Sequence, residues 1–521
     1  MIRSIATANL AVVAALVLSA SPAISADVPT LYEDNCASCH GEDRLGGTGP
    51  ALIPETLKRL RGDKAQKVIA NGRAASQMPA FGADLSEKEI ASLAKFIRTP
   101  LAKVPPWGKV EIDASRSFND DYKSVDKPVH SVDPLNLFVV VETGDHHATI
   151  LDGDAFEPLT RFKTRFALHG GPKFTPDGRY VFFMSRDGWV SKYDLWAFSM
   201  VAEVRAGINS RNIAMSKDGK HLAVANYLPH TLVILSTEDL SIERIFKVAD
   251  KDGNSSRVSA VYQAPPRNSF IVALKDVPEV WEIATDPNAP PVFTGLVHSH
   301  EKGMQEALSN NYGLFALRRI EVSEPLDDFF FSPSYRSLLG SARDGTSAVV
   351  VNMHVGQEVA RIPLPGLPHL GSGISWTYQG RPVMATPHLK ESRLSIIDMK
   401  DWSVIKTIET LGPGFFMRSH ENSPYAWTDV FFGPEKEAVH VIDKRTLEIV
   451  KTLKPAPGKN AAHVEFDRDG SHVVLSVWDD DGEIIIYDAK TLEEVKRIPM
   501  RKPSGKYNVW NKITFSAGTS H

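Results

Sequence analysis

Phe174-Thr175-Pro176-Asp177-Gly178-Arg179-Tyr180-Val181-Phe182 and Met215-Ser216-Lys217-Asp218-Gly219-Lys220-His221-Leu222-Ala223 are two copies of one unit. Each carries an Asp-Gly turn followed by alternating apolar residues, the period-2 pattern of a half-buried strand. Weaker copies begin at Phe331 and at Phe466, the latter reading Phe466-Asp467-Arg468-Asp469-Gly470-Ser471-His472-Val473-Val474. The two strongest turns lie about 40 positions apart, within the ~40–50 residue period of a propeller blade. Further strands are expected at 231–235 and 483–487, with a turn at 488–492. Over 110–521, about 51 residues per blade accommodates eight blades, and seven larger blades fit the same length. Long amphipathic helices are missing between the strands, which disfavours a parallel α/β fold. The expected fold of 106–521 is an all-β eight-bladed propeller.

Upstream the texture changes. The only two cysteines stand in Cys36-Ala37-Ser38-Cys39-His40, the C-x-x-C-H pattern of c-type heme attachment. Each thiol can form a thioether to a heme vinyl group, and His40 supplies one axial iron bond. The alternative for such a pair in an exported chain is a disulfide. Gly46, Gly47, Gly49 and Pro50 form a loop able to pass close to a heme edge. Helices are expected at 65–70 and 86–98, the second opened by a capping box of Ser86 and Glu89. Between them Gln77-Met78-Pro79-Ala80-Phe81 resembles the methionine loop of class I cytochromes c. Met78 is therefore the candidate second axial ligand, a thioether that suits electron transfer, against the plainer reading of a flexible core filler. Pro100, Pro105 and Pro106 mark a stiff exit, so a small all-α cytochrome c domain is expected at 27–105.

Residues 1–26 read as an export signal: Arg3, a short apolar core at 10–18, and small residues before Asp27. The apolar run falls short of the ~20 residues of a membrane anchor, and no later segment could span a bilayer. A periplasmic location is expected. The 521 residues carry a formal net charge of −4 and 42 % hydrophobic residues, with no basic run of the kind a nucleic-acid partner requires.

Several of the 17 histidines adjoin Gly or Pro instead of sitting inside strand patterns. His169 precedes Gly170-Gly171-Pro172; His369 lies in Pro368-His369-Leu370-Gly371; His388 follows Pro387, and His420 lies in Arg418-Ser419-His420-Glu421. Each alone reads as a surface or structural histidine.

The order of a short cytochrome c domain and this propeller resembles the cytochrome cd1 family. The likeness rests on Ala167-Leu168-His169, Asp177-Gly178-Arg179-Tyr180, Ser185-Arg186-Asp187-Gly188, Tyr193-Asp194-Leu195-Trp196, Ser210-Arg211-Asn212, Pro368-His369, Thr386-Pro387-His388-Leu389, Ser476-Val477-Trp478 and Gly505-Lys506-Tyr507-Asn508-Val509. It implies a propeller that holds heme d1, with His169 as proximal iron ligand. Arg186 and Arg211 would lie near the tetrapyrrole carboxylates, which guanidinium groups pair with bidentately.

Nitrite-reducing members carry two distal histidines. One matches His369; at the other position Asp327 stands in Glu324-Pro325-Leu326-Asp327-Asp328. An Arg of the reductases near 140–147 is also missing, and His146 and His147 occur there. The resemblance thus implies the branch that matures the cofactor, oxidising a propionate of dihydro-heme d1 to the acrylate of heme d1, with electrons leaving through heme c. His369 is the candidate base, with Asp327 as substitute or assistant; a purely hydrogen-bonding His369 is the alternative. The implied partners are the tetrapyrrole, a periplasmic electron acceptor and a cytochrome cd1 nitrite reductase. A reductase with a modified pocket and a heme d1 carrier stand as rival functions, the carrier having no use for Cys36, Cys39, His40 and Met78.

Overall fold

A computed structural model of the protein describes residues 27–46, 49–57, 60, 62–72, 78–166, 168–294 and 309–515. The expected signal at 1–26 lies outside the described residues, as do Gly47, Gln77 and Ala167 of the motifs above.

Eight antiparallel sheets of at least four strands each form the ring. In chain order the innermost strands of blades 2 to 8 are Lys173–Phe174, Asn209–Met215, Val258–Ala264, Leu326–Phe331, Ile374–Tyr378, Met417–Ser419 and Ala461–Phe466. Blade 1 is composite. Its strands Phe138–Glu142, His147–Leu151 and Pro158–Lys163 take their innermost partner, Pro503–Asn508, from the far end of the chain. This closes the ring by holding both ends of the propeller segment in one blade.

Burial follows the radial position of each strand. Second strands such as Phe138–Glu142 and Ser269–Leu274 are buried on both faces, which explains their unbroken apolar runs. Outer strands such as Gln357–Pro363 alternate toward solvent. Neighbouring blades share apolar clusters, including those built around Trp281 and Trp427. The strands expected at 231–235 and 483–487 are Thr231–Ser236 and Gly482–Asp488.

The heme-motif region is helical. Val28–Tyr32 runs through a wide turn at Glu33–Ala37 into Ser38–His40, and Gly62–Asn71 and Glu87–Phe96 follow. The capping box is present: Ser86 Oγ accepts from the Glu89 backbone N–H, and the Glu89 carboxylate accepts from Ser86 N–H at 2.8 Å. Leu31, Tyr32, Ile69, Ile90, Leu93 and Ile97 form its core. After the prolines, the short helix Lys109–Ser115 packs on blade 2, and Ser117–Phe118 adds a fifth strand to that blade. Neither element was expected from the sequence.

This connectivity sorts the loops between two rims. Turns joining first to second strands, the Asp-Gly turns among them, lie on one rim. Links from one blade to the next, and turns between second and third strands, lie on the other. His169, Arg186 and His369 belong to that second rim, whereas His420, between Met417–Ser419 and Tyr425–Asp429, belongs to the first.

Candidate functional site

Cys36 and Cys39 are free thiols one helical turn apart, the first buried and the second exposed. Burial, and then the neighbouring Cys39, push the Cys36 thiol up to about 11. His40 Nδ1–H donates to the Pro50 carbonyl at 2.7 Å, which leaves the Nε2 lone pair open. Burial lowers the pKa of its imidazole, with the Pro50 bond opposing, so the ring is neutral at pH 7. Gly49 lies against this ring, where a Cβ would sit 2.7 Å from Cε1. Met78 packs half-buried into the same core. Two thiols on one turn, an open imidazole nitrogen, a glycine shoulder and a nearby thioether fit the donor set of a c-type heme.

At the mouth of the propeller channel, His169 sits in the link between blades 1 and 2. Its backbone N–H donates to Met184 O at 2.8 Å, and its Nδ1–H donates to Arg211 O at 2.7 Å. The Nε2 lone pair therefore faces the channel, where Arg186 Nη2 reaches it at 2.8 Å and Arg211 Nη1 at 3.3 Å. Burial, then Arg186 and Arg211, hold the His169 pKa well below its ordinary value. Arg211 also donates to Ser259 O and makes no ion pair among the described residues. Two guanidinium groups against one neutral imidazole suit a ligand that offers a metal to the nitrogen and carboxylates to the arginines.

His369 approaches from the link between blades 5 and 6. Phe415 O accepts its Nδ1–H at 2.6 Å, and its Nε2 stands 3.9 Å from Asp328 Oδ2. Burial lowers its pKa while Asp328 opposes the shift. A charge on His369 would add to the lowering at His169, after the two arginines.

Lys275 Nζ holds the Asp327 carboxylate in an ion pair, and the carboxylate 3.9 Å from His369 Nε2 is that of Asp328, one residue on; Asp327 also adds negative charge at His369, more weakly. Asp328 is fixed by Tyr262 O–H at 2.8 Å and Gly371 N–H at 3.0 Å. The ladder between the first and second strands of blade 5 shifts between Leu326 and Asp328. Such a bulge re-aims side chains that simple alternation would send elsewhere. Equivalent shifts occur at Ser259, His463 and Ser504 on other inner strands.

Sequence reasoning missed His463 and gave Tyr507 no chemical role. His463, at φ +56°, is buried against Tyr507 and Phe416, and its Nδ1 has no hydrogen-bond partner. Tyr507 borders the small space beside His169, with burial pushing its hydroxyl up to about 12. Only the positive φ and the bulge identify His463 as a special position, and neither can be read from its neighbours in the chain.

His420 lies on the opposite rim, packed over Gly470 and near Phe466, so it does not face His169. His388 is structural: fully buried, it bonds Pro365 O at 2.6 Å and Ser395 Oγ at 2.9 Å. Burial lowers it to about 4. Because the folded value lies below the unfolded 6.5, acidification protonates the unfolded chain first. Stability is then lost as pH falls from about 6.5 toward 4, by about 3 kcal/mol. His388→Gln is expected to flatten the pH dependence of the denaturation midpoint by that amount, and an unchanged slope would contradict the assignment.

The geometry agrees with what the chain is similar to. The cytochrome D1 heme domain profile matches residues 132–512, and that of cytochrome c oxidase, cbb3-type, subunit III, matches residues 26–97. A dihydro-heme d1 dehydrogenase of Pseudomonas aeruginosa is 52 % identical over 94 % of this chain and 95 % of its own. A nitrite reductase of Stutzerimonas stutzeri is 28 % identical over 93 % and 92 %. The solved structure of dihydro-heme d1 dehydrogenase NirN in complex with DHE superimposes with a TM-score of 0.82, at 51 % identity, covering 93 % of this chain and 99 % of that one. Ring, socket and sequence therefore coincide, and the chain belongs to the cytochrome d1 heme-domain family.

Proposed function

We propose that this chain is a dihydro-heme d1 dehydrogenase. The carrying observation is the chemistry of the socket: one open histidine, His369, backed by Asp328, where a reductase would have two distal histidines. The likeness to the Pseudomonas aeruginosa dehydrogenase supports the same reading. The chain divides near residue 105 into a heme c unit and the ring, and the protein works in the periplasm. No helix among the described residues is long and apolar enough to cross a membrane.

The reaction converts –CH2–CH2–COO⁻ of the substrate into –CH=CH–COO⁻, releasing two protons and two electrons. Heme c, held by Cys36, Cys39, His40 and Met78, supplies one-electron acceptance, and an external acceptor must take each electron onward. His169 would bind the substrate iron through Nε2, and Arg186 and Arg211 would turn from the imidazole to the substrate carboxylates. His369, neutral at pH 7 with its Nδ1–H anchored on Phe415 O, accepts a proton at Nε2. Asp328 then stabilises the imidazolium across the 3.9 Å gap, its own orientation fixed by Tyr262 and Gly371. Asp327, paired with Lys275, assists from further off by adding negative charge that favours the imidazolium.

The test mixes holoprotein with dihydro-heme d1 and a one-electron oxidant and follows the heme d1 spectrum. Absence of heme d1 formation alongside nitrite turnover would refute the dehydrogenase. Tight binding with neither turnover would indicate a carrier. His369→Ala is expected to keep binding within about threefold and lower kcat by about 10²–10⁴. Full activity in that variant would remove His369 as the base.

A further inference from the structure

One guanidinium bonds both the helical heme c unit and the ring. Arg205, at the end of the strand Ser199–Arg205, donates from Nε to Asp187 O at 2.8 Å and from Nη2 to Leu45 O at 3.0 Å. Each acceptor is a landmark. Asp187 follows Arg186, whose side chain reaches His169 in the socket. Leu45 precedes Gly46, whose N–H donates to the carbonyl of His40 at 2.9 Å.

The contact is built to hold its shape. Arg205 stacks on Trp107 at 4.7 Å, and the Trp107 indole N–H donates to Arg205 O at 2.8 Å. Ser115 Oγ accepts the Arg205 backbone N–H at 2.9 Å. Leu45, Ala51 and Ile53 of the heme c unit bury themselves against Ile208 of the ring, with Trp107 and Leu228 alongside. The Asp187-Gly188 turn lies so close to Gly207 that a Cβ on Gly188 would sit 1.9 Å from Gly207 O. No side chain fits between the two backbones.

We propose that Arg205 is the positioning residue for electron exit, joining the socket to the His40 side by an unbroken route of covalent and hydrogen bonds. The route runs from the Arg186 turn through Asp187 C=O, the Arg205 guanidinium, Leu45 C=O and Gly46 N–H to His40 C=O. It rests on the dehydrogenase reading, in which each turnover sends two electrons singly to heme c and on to an external one-electron acceptor. Bonded contacts carry electronic coupling over a distance far better than a gap does, so one guanidinium that bonds both units sets both their spacing and their coupling. Arg205 has its pKa lowered by burial, with Asp187 and Asp43 opposing, and it remains a cation at any working pH.

The experiment uses full-length protein carrying heme c and loaded with heme d1. Pulse radiolysis places one electron on the protein, and its re-equilibration between the two groups is timed optically. Arg205→Ala is expected to slow that step by about tenfold to a hundredfold, the scale of an ångström of misplacement. Arg205→Lys should fall between, since lysine keeps the charge but not both planar bonds. Trp107→Phe removes one interface hydrogen bond and leaves the bridge, so it should match wild type. Equal slowing in Trp107→Phe and Arg205→Ala would reduce Arg205 to generic packing and overturn the proposal, as would a wild-type rate in Arg205→Ala.

Acrylate formation with a small oxidant that reaches the socket directly should survive in Arg205→Ala. Its absence in the wild-type protein too would count against the dehydrogenase and not against the bridge, because the re-equilibration measurement needs no turnover.

Discussion

Replacing His169 by Ala is expected to weaken tetrapyrrole binding by more than about 100-fold while leaving the ring folded. Losing a group that merely orients a metal ligand already costs about 10–100-fold in affinity, and here the ligand itself goes. Folding should survive because the backbone bond to Met184 O stays and the side chain lines a small space instead of packing in a blade core. Removing the imidazole leaves Arg186 and Arg211 without the acceptor that lies between them. They can still meet carboxylates, so residual binding should persist and should lack the iron–imidazole spectrum. Added imidazole should restore both spectrum and affinity, since the deletion leaves space of about the right size. Spectral titration checks this, and unaltered affinity in His169→Ala would place the iron elsewhere.

The cytochrome c domain was legible because its C-x-x-C-H motif is contiguous in the chain, whereas Met78 as second ligand is a proposal. Cys36, Cys39 and His40 share one helical turn, and Met78 follows at loop distance within the same core. The blade count was legible for a related reason: each Asp-Gly turn and the strand after it form a local unit that repeats. Ring closure was not. The sequence around Tyr507 carries no sign that it pairs with Val139, because that pairing depends on the whole ring returning to its start.

The socket was legible in part. His169, Arg186 and Arg211 were named through resemblance, and the structure places both arginines within hydrogen-bond distance of His169. Asp327 and Asp328 are adjacent acids that sequence cannot rank. What separates them is the register shift in blade 5 and the position of Lys275, whose chain distance from both is large. Arg205 was invisible for the same reason, since its partners come from residues 45 and 187. Contacts made by backbone carbonyls leave no mark on side-chain identity.

Truncating the chain after Lys502 is expected to abolish cooperative folding of the ring. The deletion removes the inner strand Pro503–Asn508, which pairs with Phe138–Glu142 at five positions from Asn508 opposite Phe138 to Pro503 opposite Glu142. At about 1 kcal/mol net per hydrogen bond, several such bonds are already a large share of the ~5–15 kcal/mol that stabilises a typical domain. The exposed strand would be Phe-Val-Val-Val-Glu, apolar on both faces and newly open along one edge, a template for aggregation. Lys506 would also go, and with it the amine that donates to His463 O and, at 2.8 Å, bonds Ser476 Oγ. Truncation after Asn508 provides the contrast. It keeps every ladder pair and removes the helix Val509–Thr514, whose Val509 is buried beside Leu137 and Tyr193 and whose Asn511 bonds Phe466 O. That loss should cost about 2–4 kcal/mol and leave a folded, less stable ring. Thermal unfolding by circular dichroism separates the cases: no cooperative transition after Lys502, a lowered but sharp one after Asn508. A sharp transition in both would mean that blade 1 holds without its returning strand.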